Sequence, residues 1–440
     1  MRIDYETIVA LAAVIGCRRD DLIALSPGND PFYILPGRRE AAEWFASLWE
    51  NFDFKIGSHP RRLHYVLVSQ SVPVLKPNGE RYQNTENDWK YLLTSSLAAR
   101  YLRLVPDGAL SDHRNDPPII HANGFDRTLP TAWVQSSAVN LSCTIQRTHV
   151  HAPYMFANDG GAPQRYLVEL WIEKSTQNDI LLPLARRLEF NLVAGTGETS
   201  ETLARQAIER AVEDGRPMRI LYISDFDPGG RSMPVALARK LEFWLRETGL
   251  DLDITLAPIA LTPDQCEHYR LPRTPLKDTE RRAPKFEERF GSGATELDAL
   301  EALHPGELQN IVEAEVTRYI DMDLRSRVYA ANSAFRQVAK TIEREIWDRY
   351  DINSYRDRYN EIIDRYEGGL REEVDHLNND MEPIWETIAE ELEANLPAAV
   401  QEFPEATIAE EPADPLFDSR REYLDQIDHY RRWQGKGGAS

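Results

Sequence analysis

Two aspartates two positions apart, Asp225 and Asp227, follow the short apolar run Arg219 to Ser224 and precede Pro228-Gly229-Gly230. A third acid, Glu173, closes another apolar run, Tyr166 to Ile172. A run without polar alternation reads as a strand covered on both faces. Asp225 and Asp227, if extended, point the same way, and ligands of open α/β sheets collect at the carboxyl ends of strands. Three hard oxygen ligands at one edge outline a Mg²⁺ site, because Mg²⁺ prefers carboxylates, keeps several waters and can bridge to a phosphate. Taken singly, each acid also reads as an ordinary loop residue or helix cap, so the expectation rests on the combination. A second group is Arg61-Arg62-Leu63-His64-Tyr65. A phenol with a pKa of about 10 is a weak nucleophile at neutral pH and needs a base, cation or metal beside it. Arg61, four residues before Tyr65, shares its helix face. The plainer reading of Tyr65 is a half-buried aromatic. His149 and His151 alternate along a predicted strand, but no third ligand is near them in sequence, so ordinary surface or core histidines are preferred.

The elements that must position these groups follow from the pattern. Residues 1 to 58 suggest short helices, with Ala41 to Trp49 the clearest. Pro60 to Gln70 reads as a helix opened by proline. Thr85 and Asp88 have capping-box spacing at the head of an amphipathic helix reaching about Arg103. Two helices and the polar stretch 104 to 118 suggest a winged helix-turn-helix. From Arg165 strands and helices alternate: strand to Ile172, helix Asp179 to Leu188, strand Asn191 to Ala194, helix capped by Thr199 or Ser200 to Asp214, strand to Ser224, helix Ser232 to Thr248, strand Ile254 to Ala260. That alternation means a parallel sheet with helices on both faces. The expected organisation is 1–118, a helical, winged-helix-like DNA-binding domain; 119–164, connecting strands; 165–304, an α/β domain; 305–396, a long acidic helical region; and 397–440, a linker and docked tail.

With 440 residues, 42% of them hydrophobic, the chain can bury a sizeable core. No apolar run approaches the roughly 18 residues of a membrane helix, and the N-terminus lacks a signal-peptide pattern, so a cytoplasmic protein without a membrane partner is expected. Cys17, Cys143 and Cys266 are too scattered for a disulfide framework or a zinc site. The net charge of −21 counts against nucleic-acid binding, which needs Lys and Arg against phosphates. The acidity is local, however. Residues 305 to 440 carry 31 acidic against 16 basic side chains, whereas residues 1 to 150 carry 16 of each, leaving the N-terminal third free to present a basic face.

Trp-Ile-Glu173-Lys174 followed by Asp225-Phe-Asp227-Pro-Gly-Gly resembles the Toprim domain of topoisomerases, primases and some nucleases. With Gly195-Thr-Gly197 between them, the order is similar to that in the topoisomerase VI A subunit and its meiotic double-strand-break relatives, as in a bacterial or phage stand-alone A-like protein. No Lys precedes Thr199 or Ser200, so Gly195 to Ser200 is not a P-loop and the chain offers no ATPase. In that family a winged helix with a nucleophilic tyrosine in an Arg-Asp-(Ile/Leu)-(Phe/Tyr)-Tyr motif precedes the Toprim. Arg61 to Tyr65 resembles the motif, departing at Arg62 and His64. The resemblance implies a homodimeric, Mg²⁺-dependent enzyme on double-stranded DNA. Tyr65 would attack, Glu173, Asp225 and Asp227 would hold the metal, and Glu173 and Arg61 would assist. Arg61, Arg62, His64 and Lys174 would contact DNA, Glu296 and Asp298 would add acidic groups, and a separate ATPase subunit could take part. Two other readings stand beside it: a Toprim nuclease using water, and a non-catalytic DNA-binding or scaffold protein with a degenerate Toprim.

Overall fold

The computed structural model describes residues 3–111, 117–122, 131–135, 152–158, 161–195, 200–365, 370–400, 406–408 and 414–435. His149, His151, Cys143, Thr196, Gly197 and Thr199 lie outside them. Along the chain come α1 (Tyr5–Ile15), α2 (Pro36–Asn51), α3 (Pro60–Val68) and α4 (Glu86–Tyr101), then β1 (Thr131–Gln135) and β2 (Tyr154–Asn158). The alternating segment is β3 (Leu167–Ile172), α5 (Asn178–Leu188), β4 (Asn191–Ala194), α6 (Glu201–Asp214), β5 (Met218–Ile223), α7 (Pro228–Thr248) and β6 (Ile254–Ala260). After it come α8 (Pro263–His268), α9 (Ala283–Phe290), α10 (Leu297–Leu303), α11 (Glu307–Val316), α12 (Leu324–Arg349), α13 (Ile352–Arg365), α14 (Leu370–Ala399), β7 (Phe417–Asp418) and α15 (Tyr423–Gln434). Contacts divide the chain into two compact units. The first comprises Met1–Asn123, Arg165–Ile320 and Ala409–Ser440, and the second Gly124–Gln164 and Asp321–Ile408.

In the first unit the sheet order is β4-β3-β5-β6-β7, parallel except for β7, which pairs antiparallel with β6. The chain is therefore α/β, with a mostly parallel sheet flanked by helices. Every residue of β3 and β5 is buried, as expected of strands sandwiched between helix layers. Burying Ile220, Leu221 and Ile223 contributes roughly 1.5–3 kcal/mol per side chain. The two strands pair in register from Leu167↔Met218 to Ile172↔Ile223, so they end level with each other.

The breaker after β5 is part of the next helix. Pro228 takes the first position of α7, where its missing N–H costs nothing, and Asp227 caps the helix by accepting from Gly230 N at 2.6 Å. The helix thus starts four residues before the expected Ser232. Only glycine fits at 230, because a Cβ there would lie 2.0 Å from the Asp225 carbonyl oxygen. Between α3 and α4 the chain makes a tight turn: Tyr82 N donates to Val74 O and Lys76 N to Glu80 O, both at 2.8 Å.

The second unit is an antiparallel pair, β1 and β2, packed on α12 and α14. Val134, Met155, Phe335, Ile346, Trp385 and Ile388 form its core. Glu343 is buried there with its carboxylate accepting from Met155 N, and Trp347 Nε1 donates to Pro153 O at 3.0 Å. The acidic helices thus enclose an apolar interior. No helix among the described residues is long and apolar enough to cross a membrane.

Candidate active site

Because β3 and β5 end level, Glu173 and Asp225 emerge at the same edge, and Glu173 N donates to Ile223 O at 3.3 Å. A third segment is drawn in by a short antiparallel pairing. Phe226 N donates to Thr295 O at 2.8 Å and Thr295 N to Phe226 O at 3.0 Å, which places Glu296 and Leu297 beside Asp225. Asp225 is 5% exposed, and its Oδ1 accepts from Leu297 N at 2.8 Å. Its Oδ2 accepts from Lys174 Nζ at 2.5 Å, and the same ammonium donates to Glu296 Oε2 at 2.8 Å. Asp298 faces Gln177 and Thr176, which donate to its Oδ1.

The electrostatics are those of crowded acids. Burial, followed by the charges of Asp225 and Asp227, raises the Glu173 carboxyl to about 7. Its Oε2 is buried without a hydrogen-bond partner. Burial also raises Asp227, against the lowering effect of the Gly230 N–H, with Asp225 and Glu296 raising it and Arg282 lowering it. Burial alone would lower Lys174, yet its bonds to Asp225 and Glu296 hold it well above the usual ammonium range.

Glu173, Asp225 and Asp227 thus share one neighbourhood and feel one another's charge, with Glu296 on its rim. Among the described residues no three His, Cys, Asp or Glu side chains stand in metal-coordinating geometry. The donor set nevertheless fits a hard divalent cation: all ligands are oxygens, one is buried and among the described residues unpartnered, and two carboxyls are raised first by burial and then by neighbouring carboxylates. Lys174, expected on DNA, is ion-paired inside the acidic cluster.

The Arg61 group divides by exposure. Tyr65 is 53% exposed on α3, and among the described residues its hydroxyl has no hydrogen-bond partner. Arg62 is exposed beside it, and the exposed Arg61 lies over the Trp89 ring at 4.9 Å. His64 is buried at 2% exposure between Tyr82 and Asn84. Its Nε2 pairs with Asn84 Oδ1 at 3.0 Å and its Nδ1 with the Tyr82 hydroxyl at 2.7 Å, the donor of the second bond depending on the tautomer. It therefore ties α3 to the connection that leads into α4, with both ring nitrogens engaged.

Arg282, Thr176 and Gln177 were missed in the sequence. Gln177 follows Glu173 by four residues on the same loop, which was a usable signal. Nothing local pointed to Arg282.

No known protein-family model matches the chain, and no curated protein sequence matches it.

Proposed function

We propose that the protein is a Mg²⁺-dependent DNA strand-breaking enzyme of Toprim type, resembling the topoisomerase VI A subunit, with winged-helix-like packing in its N-terminal helices. The observation that carries this reading is the Glu173–Asp225–Asp227 group, a set of mutually repelling carboxylates at the carboxyl edge of a parallel sheet, one with a buried, unpartnered oxygen. Perturbed acids gathered at such an edge mark functional sites more often than chance. Glu173, Asp225 and Asp227 would hold Mg²⁺, with Glu296 and Lys174 adjusting the local charge. Bound there, the ion supplies Lewis-acid stabilisation of charge on a phosphoryl oxygen.

The side chains of the chain itself do the rest. Glu173, titrating near neutrality, can hold or release a proton at Oε2. Tyr65, exposed on α3, is the nucleophile that the resemblance implies, giving a phosphotyrosyl link between a homodimer and double-stranded DNA. Arg61 and Arg62 supply exposed positive charge on the same helix.

A second reading, in which water attacks, is favoured by the surroundings of Tyr65. His64 is fully engaged and Arg61 lies over Trp89, so neither touches the phenol hydroxyl. Incubating supercoiled DNA with the purified chain and Mg²⁺ separates the readings. Tyrosyl chemistry predicts nicked or linear DNA covalently bound to protein, lost in Tyr65→Phe and Asp225→Ala. Water attack predicts cleavage that survives Tyr65→Phe and is lost in Asp225→Ala. If Asp225→Ala cleaves as well as the native chain, the carboxylates are not the site. DNA binding without cleavage by any variant, insensitive to Mg²⁺, would leave a scaffold role.

A further inference from the structure

A cavity of about 640 Å³ lies in the first unit beside the first turn of α7, walled by Arg231, Arg282, Lys285, Arg289, Phe290 and Trp433. Its volume is within the range of about 300–1,000 Å³ typical of small-molecule sites. Arg282, Lys285 and Arg289 are spaced i, i+3, i+7 at and along α9, so they share one helix face. Arg231 reaches the same space from α7.

These cations are poorly compensated. Arg282 is paired with Glu280 and donates to Ser232 Oγ at 2.7 Å. Arg231, Lys285 and Arg289 have no carboxylate in ion-pair contact among the described residues. Arg231 lies 3.6 Å over the Trp433 ring, with its Nε buried and unpartnered. Its Nη2 donates to Trp433 O at 3.1 Å, and Arg289 Nη1 donates to the same oxygen at 3.3 Å. Two guanidinium groups thus converge on one carbonyl. Burial, then repulsion from Arg289, pushes Arg231 down to about 10. In a chain of net charge −21, an uncompensated cationic wall is unlike its surroundings. A multivalent anion would satisfy it, since guanidinium forks match phosphate oxygens. Leu25, Met233, Ala236 and Phe286 also line the cavity and give it apolar surface suited to a planar organic body. Trp433 and Gln434 of α15 complete its lining.

We propose that this cavity binds a nucleoside polyphosphate, its phosphates held by Arg231, Lys285 and Arg289 and its base against the apolar lining of Leu25, Met233 and Phe286. The inference does not rest on the carboxylate chemistry, because none of these residues belongs to that cluster.

The test is calorimetric titration of the full chain with ATP in EDTA, which keeps divalent metal away from the carboxylates. Saturable binding of one ATP per chain is expected, with adenosine much weaker and inorganic phosphate competing. Lys285→Glu/Arg289→Glu, both exposed positions, should weaken ATP about tenfold or more while leaving the thermal melt unchanged. Absence of saturable ATP binding, adenosine binding as well as ATP, or full affinity in a folded double variant would each overturn the proposal. So would a short duplex DNA that loses affinity in the double variant while ATP fails to displace it, because the cavity would then serve a polymer. Loss of DNA cleavage in Asp225→Ala with ATP binding intact would support both readings separately.

Discussion

The first unit contains two charged clusters built on opposite principles. In the interior, Arg239 is fully buried and its guanidinium is saturated. Nε and Nη2 donate to Asp30, at 3.0 Å to Oδ2 and 3.1 Å to Oδ1, Nη1 donates to Glu242 at 2.9 Å, and Nη2 also reaches the Tyr423 hydroxyl at 2.8 Å. Asp30 further accepts from the backbone N–H groups of Ala24, Leu25 and Phe32, and Arg246 adds a second guanidinium to Glu242 at 3.2 Å. Each charge there has its counter-charge and each carboxylate oxygen a donor. At the sheet edge, among the described residues, the ammonium of Lys174 bonds only Asp225 and Glu296, while Glu173 Oε2 is buried without a hydrogen-bond partner. The first cluster is finished by the chain itself. The second is left with excess negative charge, and that difference separates charge used to hold a fold from charge held ready for a ligand.

The largest effect should come from breaking the finished cluster. Arg239→Met strands Asp30 and Glu242 in the core and should cost about 3–5 kcal/mol in a urea unfolding curve. An unchanged midpoint would mean that the network is not what holds this interior. Asp227→Asn should have the opposite profile. Asn is as good a cap as Asp, so stability should move by less than about 1 kcal/mol, while Mg²⁺-dependent cleavage should fall on the order of 100-fold. Destabilisation as large as that of Arg239→Met would make the edge cluster structural as well.

Glu173→Gln sharpens the contrast through pH. The folded chain keeps a proton on Glu173 up to about 7, whereas the unfolded chain releases it near 4.5, so native stability falls as pH rises through that window. In EDTA the Gln variant should therefore be more stable than the native chain at pH 8, on the order of 1 kcal/mol after allowing for solvent screening, with the gap closing towards pH 5. A difference independent of pH would remove the crowding argument. Tyr65→Phe should be the mildest, within about 0.5 kcal/mol, because the side chain is half exposed.

The strands, the sheet class and the position of Glu173, Asp225 and Asp227 just beyond strand ends were legible because each is a local signal. Uninterrupted apolar runs marked β3, β5 and β6, and the acids followed directly. The start of α7 was misread because Pro-Gly-Gly looks like a breaker, whereas a proline at a first helical position is a start signal once Asp227 is seen as the cap. His64 looked like a surface companion of Tyr65, and only its partners Tyr82 and Asn84, 18 and 20 residues away, draw it inside. The Asp30–Arg239 pair spans 209 positions and has no periodicity to betray it. The apolar interior of the helical region after residue 320 was not legible because its charges dominate the composition, while the β1–β2 pair that covers its apolar face lies far upstream.

The last elements of the chain have a consequence for its synthesis. The Tyr423 hydroxyl, which caps the Arg239 guanidinium, also donates to Leu22 O at 2.9 Å, a contact across 401 positions, and β7 covers the free edge of β6. On the ribosome the nascent sheet therefore carries an unpaired border and an unfinished interior until residues 417 to 430 have emerged. Such delayed long-range closure slows folding and exposes the border to self-association.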